Sequence, residues 1–130
     1  MPDVPDARAD QISKHLDLSE ESILLRIFIG EGDRLGHQPL SEAIVLRARK
    51  FGLAGATVLR GPMGFGKSSR MRREKTLRIS SDLPIVIEIV DMAEKIHAFL
   101  PALDAMMGGG LVTLERAHVL RYGQKRPAQN

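Results

Sequence analysis

Gly61-Pro62-Met63-Gly64-Phe65-Gly66-Lys67-Ser68-Ser69, continued by Arg70-Met71-Arg72-Arg73-Glu74-Lys75, lies between two apolar runs that read as strands. Its reading decides the fold. Taken literally, Gly61, Gly66, Lys67 and Ser68 satisfy the phosphate-loop pattern G-x-x-x-x-G-K-[ST]. That architecture needs a helix directly after the loop, then parallel strands carrying a magnesium-binding acid, a part that Asp91 imitates. The residues after Ser68 have no apolar helical stripe, because Arg70, Arg72, Arg73 and Lys75 occupy most positions. The other reading is a long cationic loop joining two antiparallel strands. Either way, glycines let main-chain N–H groups converge and Lys and Arg add charge, so the stretch suits anionic oxygens.

Working outward, residues 22–31 alternate: Leu25, Ile27 and Ile29 share one face, and Leu24, Arg26 and Phe28 the other. Residues 32–38 read as a loop. Pro39 suits the first turn of a helix whose stripe is Leu40, Ala43, Ile44, Ala48 and Phe51, ended by Gly52. Residues 54–60 form a short second strand running straight into the glycine loop. Pro84 opens a third strand through Asp91, proline being tolerated at a strand's first residue. Ala93, Ile96, Phe99 or Leu100, Leu103 and Met107 mark a second helix, which Pro101 should kink or split because the bond back to His97 is lost. Gly108-Gly109-Gly110 stops that helix, and residues 111–122 form a last strand.

The order is β-α-β-loop-β-α-β, an α+β ferredoxin-like sandwich with a long loop between strands two and three. The expected organisation is a mobile arm over residues 1–21, the domain over 22–122 and a disordered tail over 123–130. Both helices return on one side of the sheet. Phe28, Val86 and Val90 make the other face apolar as well, and another subunit is its simplest cover, so an oligomer is expected.

Composition narrows the chemistry. With no cysteine among 130 residues, disulfides and thiolate metal sites are excluded. No apolar run would span a bilayer, and the acidic start lacks a signal peptide's apolar core, so membrane insertion is not expected and a cytoplasmic location is. The net charge of +3 does not itself indicate nucleic acid. An RNA-recognition domain shares the element order, but its third strand would carry stacking aromatics, and residues 85–90 have none. His15, His37, His97 and His118 are scattered, with no two at i,i+4. Asp91 and Glu94 read as helix-start residues. No catalytic residue and no metal site stands out.

The blocks at residues 52–58, Gly64-Phe65-Gly66-Lys67, and Leu83-Pro84 with Ile87-Glu88-Ile89-Val90 resemble the PII nitrogen-signalling proteins in order and approximate spacing. Residues 24–122 resemble more closely a PII-like family of unknown function, often encoded beside fluoride channels. That likeness rests on residues 26–31, 52–61, 63–66 and Ser81-Asp82-Leu83-Pro84. It implies a ferredoxin-like homotrimer that senses rather than catalyses. An adenine nucleotide would lie in clefts between subunits, and the loop tip would engage a partner, such as a membrane transporter or channel.

Residue by residue, Gly64, Phe65 and Gly66 match the loop-base motif, and Lys67 stands where PII has a phosphate-binding arginine. Thr57 matches an adenine-side threonine, and Arg60 is counted with the same site. Gly108, Gly109 and Gly110 lie where PII has a second phosphate loop, without its lysine. Arg121 aligns with a basic residue of the last strand. The resemblance assigns Ser68, Ser69, Arg70, Arg72, Arg73 and Lys75 to the partner-binding loop. The loop tyrosine of PII relatives is absent, so its modification is not expected. The alternatives are a P-loop nucleotide hydrolase and a structural trimer without ligand. Gly66, if it needs positive φ or close ligand approach, should tolerate valine less well than Gly36.

Overall fold

The computed structural model describes residues 21–66 and 82–120, with residues 71–73 described by backbone alone. In chain order the elements are β1 (Ser22–Gly30), β2 (Arg34–Leu35), β3 (Gln38–Pro39), α1 (Leu40–Phe51), β4 (Thr57–Arg60), β5 (Met63–Phe65), β6 (Met71–Arg73), β7 (Pro84–Met92), α2 (Ala93–Met106) and β8 (Leu111–Ala117). Four strands form one sheet in the order β4-β7-β1-β8, and every neighbouring pair is antiparallel. The expected ferredoxin-like arrangement is therefore present, with β4 and β7 paired across the long loop.

Burial that alternates along β1 and β7 builds the core. Ile23, Leu25, Ile27 and Ile29 of β1 are buried, and the register sets Leu25, Ile27 and Ile29 opposite Ile89, Ile87 and Ile85 of β7. On this face α1 places Leu40, Ala43, Ile44 and Ala48, and α2 places Ile96, Phe99 and Leu103. Among the described residues no polar or charged side chain is buried, so apolar burial is the main cohesive term here. Gly52 ends α1 in the left-handed region at φ +89°. Its N–H donates to Arg49 O and that of Leu53 to Ala48 O, each at 3.1 Å, which satisfies carbonyls the helix end would leave open.

Several expectations give way, each for a local reason. The second strand begins at Thr57, not Ala54, because the Asp91 carboxylate takes the Ala54 N–H at 2.9 Å and holds that stretch as a loop. Asp91 is accordingly not a helix cap. Its other oxygen accepts from Met92 N–H, and Met92 occupies the N-cap position of α2 without a side-chain bond. Pro101 does not split α2, which runs unbroken to Met106. Pro39 belongs to the two-residue ribbon β2–β3, which turns at Gly36 (φ +61°), and it precedes α1 instead of opening it. The last strand stops at Ala117, with residues 118–120 irregular.

The long connection between β4 and β7 is not structureless. Met63, Gly64 and Phe65 pair with Arg73, Arg72 and Met71 as an antiparallel ribbon. A P-loop requires a helix there and a parallel sheet behind it; among the described residues the segment after the loop pairs as a strand and every neighbouring pair of the main sheet is antiparallel, which does not match that architecture. The expected arm up to residue 20, and residues 121–130, lie outside the described residues. Among the described residues no helix is long and apolar enough to cross a membrane.

Candidate functional site

The glycine-bearing segments converge on one end of the sheet, where β1 and β4 finish and β7 and β8 start. Gly30 stands opposite Pro84, and Arg60 opposite Ile85. After β4 the chain folds back over Pro84. A Cβ on Gly61 would lie 3.0 Å from the proline Cγ, and one on Gly64 3.2 Å, so both glycines make room for this fold-back. The Gly61 N–H donates to Pro84 O at 2.8 Å. Ribbon pairing commits part of the main chain of residues 63–65 to the ladder, which leaves fewer inward amides than a full nest would have. Gly66 is exposed, has open space around it, and does not adopt positive φ.

At the opposite edge, Gly108-Gly109-Gly110 links α2 to β8. Gly110 sits at φ +101°, and a Cβ there would come within 2.6 Å of Phe28 O. Only glycine fits, and the tight approach brings the segment down onto the end of β1. Beside it lies an open cavity of about 370 Å³ lined by Leu100, Leu103, Asp104, Met107, the three glycines and Val112. Gly108 and Gly109 themselves are exposed with open space around them.

The two halves do not meet within one chain. β4 and β8 are the outer strands of a four-stranded sheet, so three strand spacings, roughly 14 Å, separate them. Thr57 and Arg60 also diverge, because they lie three residues apart on one strand. Thr57 is opposite Glu88 on the helix-free face, whereas Arg60 is opposite Ile85, on the helix side. Arg60 is moreover engaged: its Nη1 donates to Glu31 Oε1 at 2.7 Å. Lys67, Ser68, Ser69, Arg70, Lys75 and Arg121 lie outside the described residues, as do the side chains of Arg72 and Arg73.

Sequence reasoning missed two acids at this end. Glu31 follows β1 directly. Its N–H donates to Leu83 O at 2.7 Å, and its Oε2 accepts from Leu83 N–H at 3.4 Å. Asp82 Oδ1 accepts from Gly32 N–H at 2.8 Å. The turn after β1 thus holds both stems of the long loop, Arg60 on entry and Asp82–Leu83 on exit. The signal was available, since the acids of Glu31-Gly32-Asp33 and Ser81-Asp82 flank the strand ends that the hairpin must join.

The helix-free face carries a polar row of Thr57, Glu88, Arg26 and Thr113 across all four strands. Arg26 Nε donates to Glu88 Oε2 at 2.8 Å and Nη1 to Glu115 Oε2 at 3.3 Å. These bonds, Glu88's first, hold the guanidinium above arginine's ordinary pKa, more than offsetting its desolvation. Beside this row runs an apolar one, Leu59, Val86, Phe28 and Leu111. Among the described residues, no three His, Asp or Glu side chains group as metal ligands would.

Comparison with known proteins places this geometry. Residues 22–119 match the family model DUF190, described as "Uncharacterized ACR, COG1993". A UPF0166 protein of Aquifex aeolicus (strain VF5) is 40% identical over 97 residues, covering 75% of this chain and 91% of the relative. A UPF0166 protein of Methanocaldococcus jannaschii is 31% identical over 99 residues, with 75% and 91% covered. In structure, the chain is similar to CPII, a nitrogen regulatory PII-like protein from Thiomonas intermedia K12, solved bound to ADP, AMP and bicarbonate. The TM-score is 0.54 at 21% identity, over 78% of this chain and 90% of that one. CPII bound to ADP and bicarbonate gives 0.50 at 23% identity. The chain belongs to the DUF190 family, built on the ferredoxin-like fold of PII-like proteins.

Proposed function

We propose that this protein is a PII-like regulator that binds a small anion, most specifically an adenine nucleotide, in clefts between the subunits of a homotrimer. It works without catalysis, in the cytoplasm, and signals through residues 68–80 to a partner such as a membrane transporter or channel. One observation carries the reading. The glycine loop with Arg60 and the triglycine segment share one end of the sheet but sit on opposite edges. A site using both is completed only when the β4 edge of one copy meets the β8 edge of the next, and repetition of that contact closes a ring. The apolar row on the helix-free face gives the copies a reason to associate. CPII, with ADP and AMP bound on the same fold, supports the ligand class, and its bicarbonate makes a second anion worth testing.

In this reading Gly64, Phe65, Gly66, Lys67 and Arg60 of one copy, with Thr57 on the other face of the same edge strand, border Gly108, Gly109, Gly110 and Arg121 of its neighbour. Calorimetry of the full chain with ADP, AMP and bicarbonate, alongside light scattering, tests it. Saturable binding by a trimer is the expected result. A monomer overturns the reading, and a trimer silent to all three ligands leaves a structural assembly.

A further inference from the structure

Arg60 is not a free charge awaiting an anion, and the geometry points to Glu31 as its resident counter-ion, which a phosphate-bearing ligand must displace. This rests on the reading that Arg60 belongs to the anion site. Glu31 is held by main-chain atoms on the loop's exit stem, donating to Leu83 O at 2.7 Å and accepting from Leu83 N–H at 3.4 Å. Its main chain is thereby fixed, and the long bond from Leu83 N–H tethers the carboxylate toward the exit stem. The pair is a single N–H···O bond of 2.7 Å between side chains 59% and 33% exposed. Exposed pairs of this kind shift an equilibrium by about fivefold at most, so the bond holds Arg60 without locking it. A phosphate has more oxygens and more charge, and it can take a guanidinium by two parallel bonds.

The consequence is selectivity. A ligand whose phosphate reaches Arg60 recovers the cost of breaking the pair, whereas a neutral ligand meets Arg60 already neutralised. Glu31 thereby reserves Arg60 for strongly anionic guests. It is a positioning and specificity residue, with no contact to the ligand itself.

The test is ADP calorimetry on the full chain, wild type against Glu31→Gln, Arg60→Gln and the double variant. Glutamine keeps an oxygen for Leu83 N–H and removes the charge. Glu31→Gln should tighten ADP by about twofold to fivefold, the strength of the exposed pair it dissolves. Arg60→Gln should weaken ADP by about tenfold or more, as a lost charge-assisted bond does. In the Arg60→Gln background, Glu31→Gln should change nothing. An equal change in both backgrounds, or no tightening in a wild type that binds, overturns the inference and leaves the proposed function standing. A wild type silent to ADP overturns the nucleotide reading, and this inference with it. Should Glu31→Gln fail to fold, Glu31→Asp withdraws the carboxylate by one methylene and must shift ADP affinity in the same direction.

Discussion

Glycines in this chain do three different jobs, which the letter G does not distinguish. Gly110 is fixed by sterics. With φ at +101° and a Cβ 2.6 Å from Phe28 O, Gly110→Ala should cost about 2–3 kcal/mol in urea unfolding, the scale of a non-glycine residue forced into the left-handed region. Gly36 also needs positive φ, whereas Gly66 does not, so the expected order of damage reverses: Gly36→Val disturbs folding more than Gly66→Val. Gly66→Ala should change stability by less than about 0.5 kcal/mol, and any defect it shows should appear in ADP titration alone. Lys67→Ala should weaken ADP by about 1.5–3 kcal/mol in the same titration, and an unchanged affinity removes Lys67 from the site. Sequence spacing located the anion-binding candidates, but φ angles and ion-pair partners such as Glu31 depend on contacts between residues far apart in the chain.

The long elements were legible because each repeats its own period. Ile23, Leu25, Ile27 and Ile29, and Ile85, Ile87 and Ile89, set buried aliphatics at every second position, and residues 40–51 carry an apolar stripe closed by Gly52. Their ends were less legible, because tertiary bonds set them. Asp91 illustrates this: its side chain reaches 37 residues back to take Ala54 N–H and shortens the second strand. Asp91→Ala should therefore destabilise the fold by about 1.5–3 kcal/mol, the range for a hydrogen bond to a charged group. Hydrogen exchange at the Ala54 amide should rise with it, and unchanged exchange would show that water or another group serves Ala54 equally well. The ribbon β5–β6 was missed because three-residue strands rich in glycine and arginine carry no periodic signal.

At the scale of the whole molecule, the helix-free face combines two surfaces that respond differently to conditions. The Arg26 network is insensitive to ordinary pH on the arginine side. A guanidinium whose folded pKa is raised gives its full stabilisation below the unfolded value and loses it only as pH climbs through the folded one, beyond the neutral and moderately alkaline range. The apolar row is the part that should drive association. Leu59 and Leu111, at its two ends, are 49% and 56% exposed in a single chain, so charging them does little to the fold of one copy. Taking such a side chain from full exposure to full burial releases about 1.5–3 kcal/mol, so these two, already half covered, have roughly half of that each to gain, and a charge in their place would have to be desolvated in any assembly that buries this face. The variant carrying Leu59→Glu and Leu111→Glu should therefore keep a cooperative thermal transition while, if the wild type is the proposed trimer, light scattering falls to the mass of one chain. ADP binding should fall with the mass, because the two halves of the proposed site, on β4 and β8, stand at opposite edges of one sheet. Loss of assembly with ADP affinity intact would place the whole ligand site within one chain, and an unchanged mass would place the contact between copies on another face.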